Sequence, residues 1–385
     1  MATRINNKSS KPDNIVIRDN NIIDECESIE KQLPQFMKDY FIYLRGAVAV
    51  TSRRAYLQDI KFFCDYLIST DLYTNAKQAF EITLDEFKEI KARDINLFLG
   101  DYCNRYYKII KNDKTNNDDK VLYENNNKSL ARKKSSLSTL FKYMYRNEQL
   151  NEDITAGFNP IKLPKPQPDA IKRLEIDEVA IMLDAVENGT GLTDKEKEYW
   201  LKTKLRDRAI LVLFITYGLR LTELRELNIS SFNFSRGVFV IFRKRGKEVQ
   251  MPINDACEKV IKEYIEFERP KEDMLSEDNK DALFLSLQKK RMTTRSIRDL
   301  VKKYTSISMG TSRENGYSPH KLRATAATSL IETGFSIYDV QNLMDHENVT
   351  TTQLYAAHRK NLKRDIVKNF DWLDEDNALG VKRRD

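Results

Sequence analysis

The segment Asn159-Pro-Ile-Lys-Leu-Pro-Lys-Pro-Gln-Pro168 divides the sequence into two modules with different patterning. Its four prolines fix φ and remove backbone donors, so we expect a stiff, extended connection rather than a regular helix. The boundaries that the pattern indicates are 1–28 for a polar N-terminal tail, 29–158 for a helical domain, 159–172 for the linker and 173–385 for a larger, mixed domain.

The module before the linker has a hydrophobic pattern that predicts four helices and no strand. Apolar side chains recur at helical spacing in Leu33–Tyr43 and in Tyr56–Leu67, and two more helices fit Ala92–Tyr107 and Ser129–Arg146. The Asn- and Asp-rich stretch Lys111–Asn127 predicts a long solvated loop between the last two helices.

The module after the linker is predicted to combine helices with one β-hairpin. Strand-like alternation in Gly237–Arg243 and Glu248–Ile253, on either side of a turn at Lys244–Lys247, predicts the hairpin. The predicted helices are Asp177–Val186, Lys204–Tyr217, Thr294–Tyr304, Pro319–Thr333, Ile337–Met344 and Thr351–Asn369. The expected fold class is therefore mainly α with a small antiparallel β-sheet, as a helical domain plus a mixed α+β domain.

The composition excludes membrane, secreted, fibrous and collagenous proteins. The chain has 385 residues, 41% hydrophobic and 32% charged, and no apolar run approaches the roughly 18 residues of a membrane span. The N-terminus lacks the apolar stretch of a signal peptide. Because the four cysteines are widely spaced, we expect a reduced, cytoplasmic protein without a metal. The net charge of +7 weakly favours an anionic partner.

Three basic stretches predict contacts with a polyanion. Lys128–Tyr143 combines cations, serines and an apolar face without an acidic residue, and Thr51–Arg54 and Lys289–Lys303 are the other two. A solvated helix face is the alternative for each stretch taken alone. Their presence in both modules favours a clamp around the polyanion. The residues that we assign to these contacts are Arg53, Arg54, Lys128, Arg132, Lys133, Lys134, Arg243, Arg245, Arg291 and Arg295.

Histidine, arginine and tyrosine form a constellation in the second module. The segment Ser318-Pro-His320-Lys-Leu-Arg323 places His320 and Arg323 on one helical face if Pro319 begins a helix. Upstream, Arg220 follows an apolar predicted helix. An arginine has little structural role at such a position, so we expect it to bind an anion. Downstream, Tyr355 follows His346 by nine residues.

In this order and spacing, these residues resemble the signature of the tyrosine recombinase (phage integrase) family. Lys244 lies 24 residues after Arg220, in the predicted turn, as in the family pattern. Asp345 and Glu347 depart from that pattern, which has Gly and a small residue beside the late histidine. The likeness spans roughly Ile29–Phe370. The six family roles fall on Arg220, Lys244, His320, Arg323, His346 and Tyr355.

The resemblance implies a site-specific DNA recombinase that cleaves and rejoins DNA through a 3′-phosphotyrosyl intermediate. Tyr355 would be the nucleophile, Arg220 and Arg323 would hold the phosphate, and Lys244 would protonate the leaving oxygen. His320 would accept a proton, and His346 would hold a phosphate oxygen or position the nucleophile. The resemblance implies no metal and no cofactor. It implies a role in integrating or excising a mobile element, or in resolving DNA.

The implied partners are double-stranded DNA with paired inverted core half-sites and further copies of the chain. The chain would be a monomer when free and a homotetramer in the synapse, assembled through the apolar C-terminal segment Asp365–Leu373. An accessory directionality factor is a further partner class, and a membrane is not. The implied location is the bacterial cytoplasm, in association with the nucleoid.

Several alternatives stay open at the level of sequence. The same residues fit a type IB topoisomerase-like activity, and the same fold could serve a non-catalytic DNA-binding regulator. Tyr317 and Tyr338 are alternative nucleophiles on chemistry alone, although neither fits the spacing. Basic neighbours of Lys244 are alternative acids; these are Arg243, Arg245 and Lys247.

Overall fold

The computed structural model separates into two compact units, residues 1–165 and 166–385. The fold class is as predicted, mainly helical with two small antiparallel sheets. The structure describes residues 11–111, 118–163, 172–243 and 246–345.

The first unit is built of helices and one β-hairpin. Its elements in chain order are α1 (Asp13–Glu30), α2 (Lys38–Ala47), α3 (Val50–Ser69), α4 (Leu84–Lys88), α5 (Ala92–Leu97), β1 (Arg105–Lys111), β2 (Asp118–Glu124) and α6 (Asn127–Arg146). An aromatic core holds them together. The ring of Phe63 on α3 lies 5.0 Å from that of Phe98 and 6.3 Å from that of Phe141 on α6, centroid to centroid. Edge-to-face pairs at such distances add stability beyond that of the buried area.

The wrong predictions for this unit are the polar tail, the helix Ala92–Tyr107, the loop after it and the absence of strands. The predicted tail 1–28 contains most of α1, which buries Ile15, Ile22 and Cys26 along one face. These apolar residues are spaced for a helix, but the Asn- and Asp-rich composition around them hid the pattern.

The predicted helix Ala92–Tyr107 and the loop after it are also different in the structure. Helix α5 ends at Leu97, a π-helical turn follows, and β1 and β2 form an antiparallel hairpin. Tyr106 and Tyr123 face each other in the register, with ring centroids 5.6 Å apart. Aromatic and β-branched residues favour strands, and such cross-strand pairs stabilise a ladder that the abundant Asn and Asp obscured.

The second unit has a three-stranded antiparallel sheet among helices. Its elements are α7 (Ile176–Asn188), α8 (Asp194–Trp200), α9 (Lys204–Tyr217), α10 (Leu221–Arg225), β3 (Phe232–Asn233), β4 (Val238–Phe242), β5 (Glu248–Pro252), α11 (Asp255–Phe267), α12 (Thr294–Ser308), α13 (Pro319–Glu332) and α14 (Ile337–Met344). The strand order is β3-β4-β5. The predicted hairpin is confirmed, and α9 and α14 have the predicted limits.

Helix α9 is the central element of this unit. It packs against α7, α11 and α13, and it buries residues on several faces, among them Ala209, Leu213 and Phe214. A helix that is apolar nearly all round is stable only where other elements cover it. This central position fixes the end of α9, and therefore the segment that follows it, relative to α13.

Part of the predicted organisation lies outside the described residues. This applies to the prolines at 164, 166 and 168, to the helix predicted at Thr351–Asn369 and to the segment Asp365–Leu373. Among the helices that the structure does describe, none combines the length and the apolar character of a membrane span.

Candidate active site

The candidate site begins at Gly218, the residue directly after α9. This residue has φ +57°, a left-handed conformation that glycine adopts without a Cβ penalty. A Cβ at this position would lie 2.6 Å from Cε of Met344, so the end of this flexible side chain on α14 would have to shift. The turn directs the chain to Arg220, which is the N-cap of α10.

Arg220 is held in position by Glu223, one turn ahead on α10. The Arg220 backbone N–H donates to Oε2 of Glu223 at 2.8 Å, and the guanidinium Nη1 donates to Oε1 at 2.6 Å. Glu223 is buried, whereas the Arg220 side chain is 27% exposed. Because the buried carboxylate of Glu223 holds both the backbone and the guanidinium group of Arg220, this group is pre-organised, and it is partly open to an external anion.

Helix α13 contributes Arg323 and His320. Pro319 occupies the first turn of α13, as the sequence predicted, and His320 is exposed. Arg323 is buried, and its guanidinium group donates to the carbonyl oxygens of Gly218 and Met344. Arg220 donates through Nη2 to the next carbonyl, that of Asp345, at 3.0 Å. Arg220 and Arg323 therefore converge on the last turn of α14.

A third arginine reaches the same turn from the β-sheet. Arg243, directly after β4, donates to the Leu343 carbonyl at 2.6 Å, and its guanidinium group lies 3.7 Å from the Asp345 carboxylate. Burial lowers the pKa of Arg243 from its ordinary value. The sequence had assigned Arg243 to contact with a polyanion and did not indicate this internal role.

The end of α14 explains why three arginines can lie so close together. Leu343, Met344 and Asp345 present three successive carbonyl oxygens to the three guanidinium groups. The carbonyls at a helix C-terminus lack intrahelical partners and carry partial negative charge, which stabilises nearby cations. The result is a preformed cationic cluster, defined by Arg220, Arg243 and Arg323.

Asp345 ends α14 in an uncommon conformation. Its φ is +51°, and its carboxylate accepts a hydrogen bond from the Lys247 ammonium at 2.9 Å. The hydrogen bond from Lys247 and the charge of Arg243 lower the pKa of this carboxyl, against an opposing effect of burial. The sequence identified Asp345 only as a departure from the family pattern.

The remaining residues of the predicted constellation lie outside the described part of the chain. These are Lys244, His346 and Tyr355; Arg245, which we assigned to polyanion contact, lies outside it as well. The structure thus brings together Arg220 and Arg323, with His320 one turn before Arg323 on the same helix. Within the described residues, no group of His, Cys, Asp and Glu could hold a metal ion.

In the first unit, most of the cations predicted to meet a polyanion have partners within the protein. Arg53 is buried and pairs with Glu30, and Arg54 pairs with Glu25. The α6 cations differ among themselves. Lys128 is exposed, Arg132 and Lys133 pair with the buried Asp59, and Lys134 donates to the Phe158 and Asn159 carbonyls.

Two further cations of this set belong to the second unit. Arg291 donates to the carbonyls of Arg225 and Leu227, at 3.0 and 2.9 Å. Arg295 has a side chain that is 89% exposed, on the first turn of α12. All these cations remain predictions as contacts of a polyanion, and those with internal partners also stabilise their own unit.

Comparison with known proteins identifies the class. Residues 172–361 match the model of the phage integrase family. The tyrosine recombinase XerD of Staphylococcus epidermidis is 31% identical over 243 residues, which cover 63% of this chain and 76% of the relative. The chain therefore belongs to the phage integrase family of tyrosine recombinases, and its activity is site-specific DNA recombination.

Solved structures show the same fold. The XerH site-specific recombinase bound to its difH substrate, in a pre-cleavage complex, has a TM-score of 0.55 and 18% identity, covering 94% of this chain and 91% of that chain. The Tn1549 transposon integrase in complex with circular intermediate DNA has a TM-score of 0.54 and 17% identity, covering 90% of this chain and 99% of that chain.

Proposed function

We propose that this recombinase cleaves one DNA strand with Tyr355 and holds the strand as a 3′-phosphotyrosyl intermediate. The observation that supports this most directly is the convergence of Arg220 and Arg323 on the last turn of α14. His346 follows that turn directly in the sequence, and Tyr355 comes nine residues later. The cations and the nucleophile of the reaction are thus connected by a short stretch of chain.

The proposed chemistry uses the arginines for charge and geometry. A phosphodiester under attack gains negative charge on its non-bridging oxygens, and arginine forks bind two oxygens at once. Each well-placed donor in such a site contributes about 3–4 kcal/mol of transition-state stabilisation. Ionising a phenol of pKa near 10 costs about 4 kcal/mol at pH 7. The neighbouring cations lower that cost, and His320 accepts the proton of Tyr355.

The leaving 5′-oxygen needs a proton, which we assign to Lys244. The bond between Tyr355 and the 3′-phosphate forms as the bond to the 5′-oxygen breaks, and the products are a phosphotyrosyl link and a 5′-hydroxyl. Attack by another 5′-hydroxyl on this link rejoins the strand and releases Tyr355. The phosphodiester energy is retained, so rejoining needs no ATP.

For the partner, we propose double-stranded DNA with paired inverted core half-sites, bound by four copies of the chain in the synapse. The solved structures of XerH and of the Tn1549 integrase, both bound to DNA, support this by likeness of fold. The cations that we propose for direct phosphate contacts are the more exposed ones, Arg54, Lys128, Arg132, Lys134 and Arg295. For the genetic role we propose integration and excision of a mobile element, with resolution of DNA as the other candidate.

The test is covalent capture from a randomised library of nicked duplexes. A nick next to the cleaved bond lets the short 5′-hydroxyl strand diffuse away, so the phosphotyrosyl adduct accumulates and survives denaturation. We expect an adduct whose sequencing reveals one preferred site. Absence of any adduct at saturating protein would contradict strand cleavage by this chain. Joining of two labelled duplexes, rather than relaxation of supercoils alone, distinguishes a recombinase from a topoisomerase-like enzyme.

Lys244→Ala is expected to slow cleavage of an ordinary phosphodiester by roughly 10²–10⁴-fold, since general-acid catalysis contributes rates of that order. A duplex with a 5′-bridging sulfur at the same position has a leaving group that needs no proton. On this duplex we expect the variant to cleave nearly as fast as the parent. Failure of the sulfur to restore cleavage would move the acid role to Arg243, Arg245 or Lys247.

Glu223→Gln is expected to reduce adduct formation about tenfold. Glutamine keeps the shape of the side chain and an acceptor for the Arg220 N–H, but it loses the charge that holds the guanidinium group. A hydrogen bond to a charged group contributes about 1.5–3 kcal/mol, and 1.4 kcal/mol corresponds to a factor of ten. The matched control is Glu226→Gln, a buried glutamate that pairs with Arg225. Equal losses in both variants would mean that Glu223 acts only through stability.

A further inference from the structure

We propose that Asp345 is a positioning residue for the proton transfer to the leaving oxygen, because it holds the turn that carries Lys244. This inference rests on the proposed function. The carboxylate contacts both flanks of the turn. Oδ1 accepts from Lys247, the last residue of the turn, at 2.9 Å, and Oδ2 lies 3.7 Å from Nη1 of Arg243, which precedes the turn.

The base of this turn is itself closed by the backbone. The Arg243 N–H donates to the Lys247 carbonyl at 2.8 Å, and the Gly246 N–H donates to the Arg243 carbonyl at 3.1 Å. Lys244 and Arg245 lie between these bonded residues in the sequence. A group that fixes Arg243 and Lys247 therefore fixes both ends of the segment that includes Lys244.

Asp345 also contacts Arg220, one of the two arginines that we propose to bind the phosphate. The Asp345 backbone carbonyl accepts from Nη2 of Arg220 at 3.0 Å, while its side chain faces the turn. Asp345 thus contacts Arg220 through its backbone and the β4–β5 turn through its side chain. The distance between a bound phosphate and the proton donor would depend on this connection.

Asp345 has a left-handed backbone conformation, which glycine would adopt at a lower cost, so the presence of a carboxylate at this position needs an explanation. At φ +51°, an L-residue is strained relative to glycine by about 1 kcal/mol. The ion pair with Lys247 offsets little of this, since the Lys247 side chain is 63% exposed and such pairs contribute about 0–1 kcal/mol. A negative charge also disfavours a phosphate nearby. DNA affinity therefore does not account for an aspartate here, whereas its contacts with Arg243 and Lys247 hold the two ends of the turn.

The experiment compares single-turnover adduct formation on two duplexes of the captured sequence, with oxygen or sulfur as the 5′-bridging atom. Asp345→Asn and Asp345→Gly both tolerate the positive φ and lose the charge. We expect both variants to be roughly 10- to 100-fold slower than the parent on oxygen, because misplacing a catalytic group by about 1 Å costs a factor of this order. On sulfur, both should stay within about threefold of the parent, and DNA affinity should not fall.

Reciprocal variants separate positioning from a general loss of structure. Rescue of Lys244→Ala by sulfur assigns the acid role to Lys244 and excludes Lys247 from it. Given that rescue, Lys247→Met should reproduce the oxygen-specific defect, and the double variant with Asp345→Asn should be no slower than the slower single variant, because the two residues act as one unit. The matched control is Glu196→Gln, on α8, which removes a carboxylate of similar exposure that pairs with Arg313 and contacts no residue of the turn in the described structure. It should affect neither substrate.

Each remaining outcome has one meaning. Equal slowing on oxygen and sulfur, or no slowing on either, overturns the positioning role of Asp345 and leaves the proposed function standing. If the parent forms no adduct with either duplex, the proposed function itself fails. Melting temperatures of all variants identify one that does not fold, and Lys247→Met then still decides the question.

Discussion

Replacing Tyr355 with Phe is expected to abolish the covalent protein–DNA adduct and to leave DNA binding intact. The phenylalanine ring fills the same space, but the attacking oxygen is absent, so no phosphotyrosyl bond can form. The measurement combines denaturing electrophoresis on the nicked duplex for the adduct with a gel-shift titration for affinity.

Tyr338→Phe is the matched control for this variant. Tyr338 lies on α14 and is 69% exposed, so its hydroxyl is as accessible as a nucleophile needs to be. Adduct formation by this control should equal that of the parent. An adduct in the Tyr355→Phe protein, or its loss in Tyr338→Phe, would show that the spacing from His346 does not identify the nucleophile.

Arg220→Lys is expected to slow cleavage about 10²- to 10³-fold without preventing DNA binding. Lysine keeps the positive charge but cannot bind Glu223, the Asp345 carbonyl and a phosphate oxygen together, as the planar guanidinium group can. Losing one pre-organised donor costs about 3–4 kcal/mol in the transition state. Single-turnover rates on the nicked duplex measure the effect.

The control is Arg225→Lys, five residues on and at the end of the same helix α10. Its side chain is 26% exposed, against 27% for Arg220, and it also pairs with a buried glutamate. We expect less than a threefold change for this control. Similar rates for the two variants would remove Arg220 from the reaction and leave it a structural role.

The sequence predicted the elements that have strong periodicity or strong boundaries. Helix α9 contains the apolar run Ala209–Ile215 and is followed directly by Gly218, and α13 begins at a proline, so the end of α9 and the start of α13 were visible in the pattern. The positions of Arg220 and Arg323 follow from these limits. Their convergence could not be predicted, because it depends on the carbonyl oxygens at the end of α14. Every residue has a backbone carbonyl, so the sequence does not show which of them accept these hydrogen bonds.

The wrong predictions have a common physical cause. Helix α1 and the β1–β2 hairpin both contain many Asn and Asp residues, which are typical of loops, and both are stabilised by a few buried or paired side chains such as Ile22 and Tyr106. Tertiary contacts override local propensity in such segments. Likewise, the burial of Arg53 and Arg243 could not be inferred from a run of basic residues.

The convergence of three arginines on the last turn of α14 also orders events during synthesis of the chain. A ribosome makes Arg220, Arg243 and Arg323 before it makes Leu343, Met344 and Asp345. A growing chain therefore possesses the cations of the site before it possesses the carbonyls that orient them. The three acceptors that the arginines share are therefore the last part of the cluster to be made. A chain interrupted after Arg323 but before residue 343 contains Glu223 and Gly218, the other partners of Arg220 and Arg323, but lacks the acceptors that bring the three arginines together.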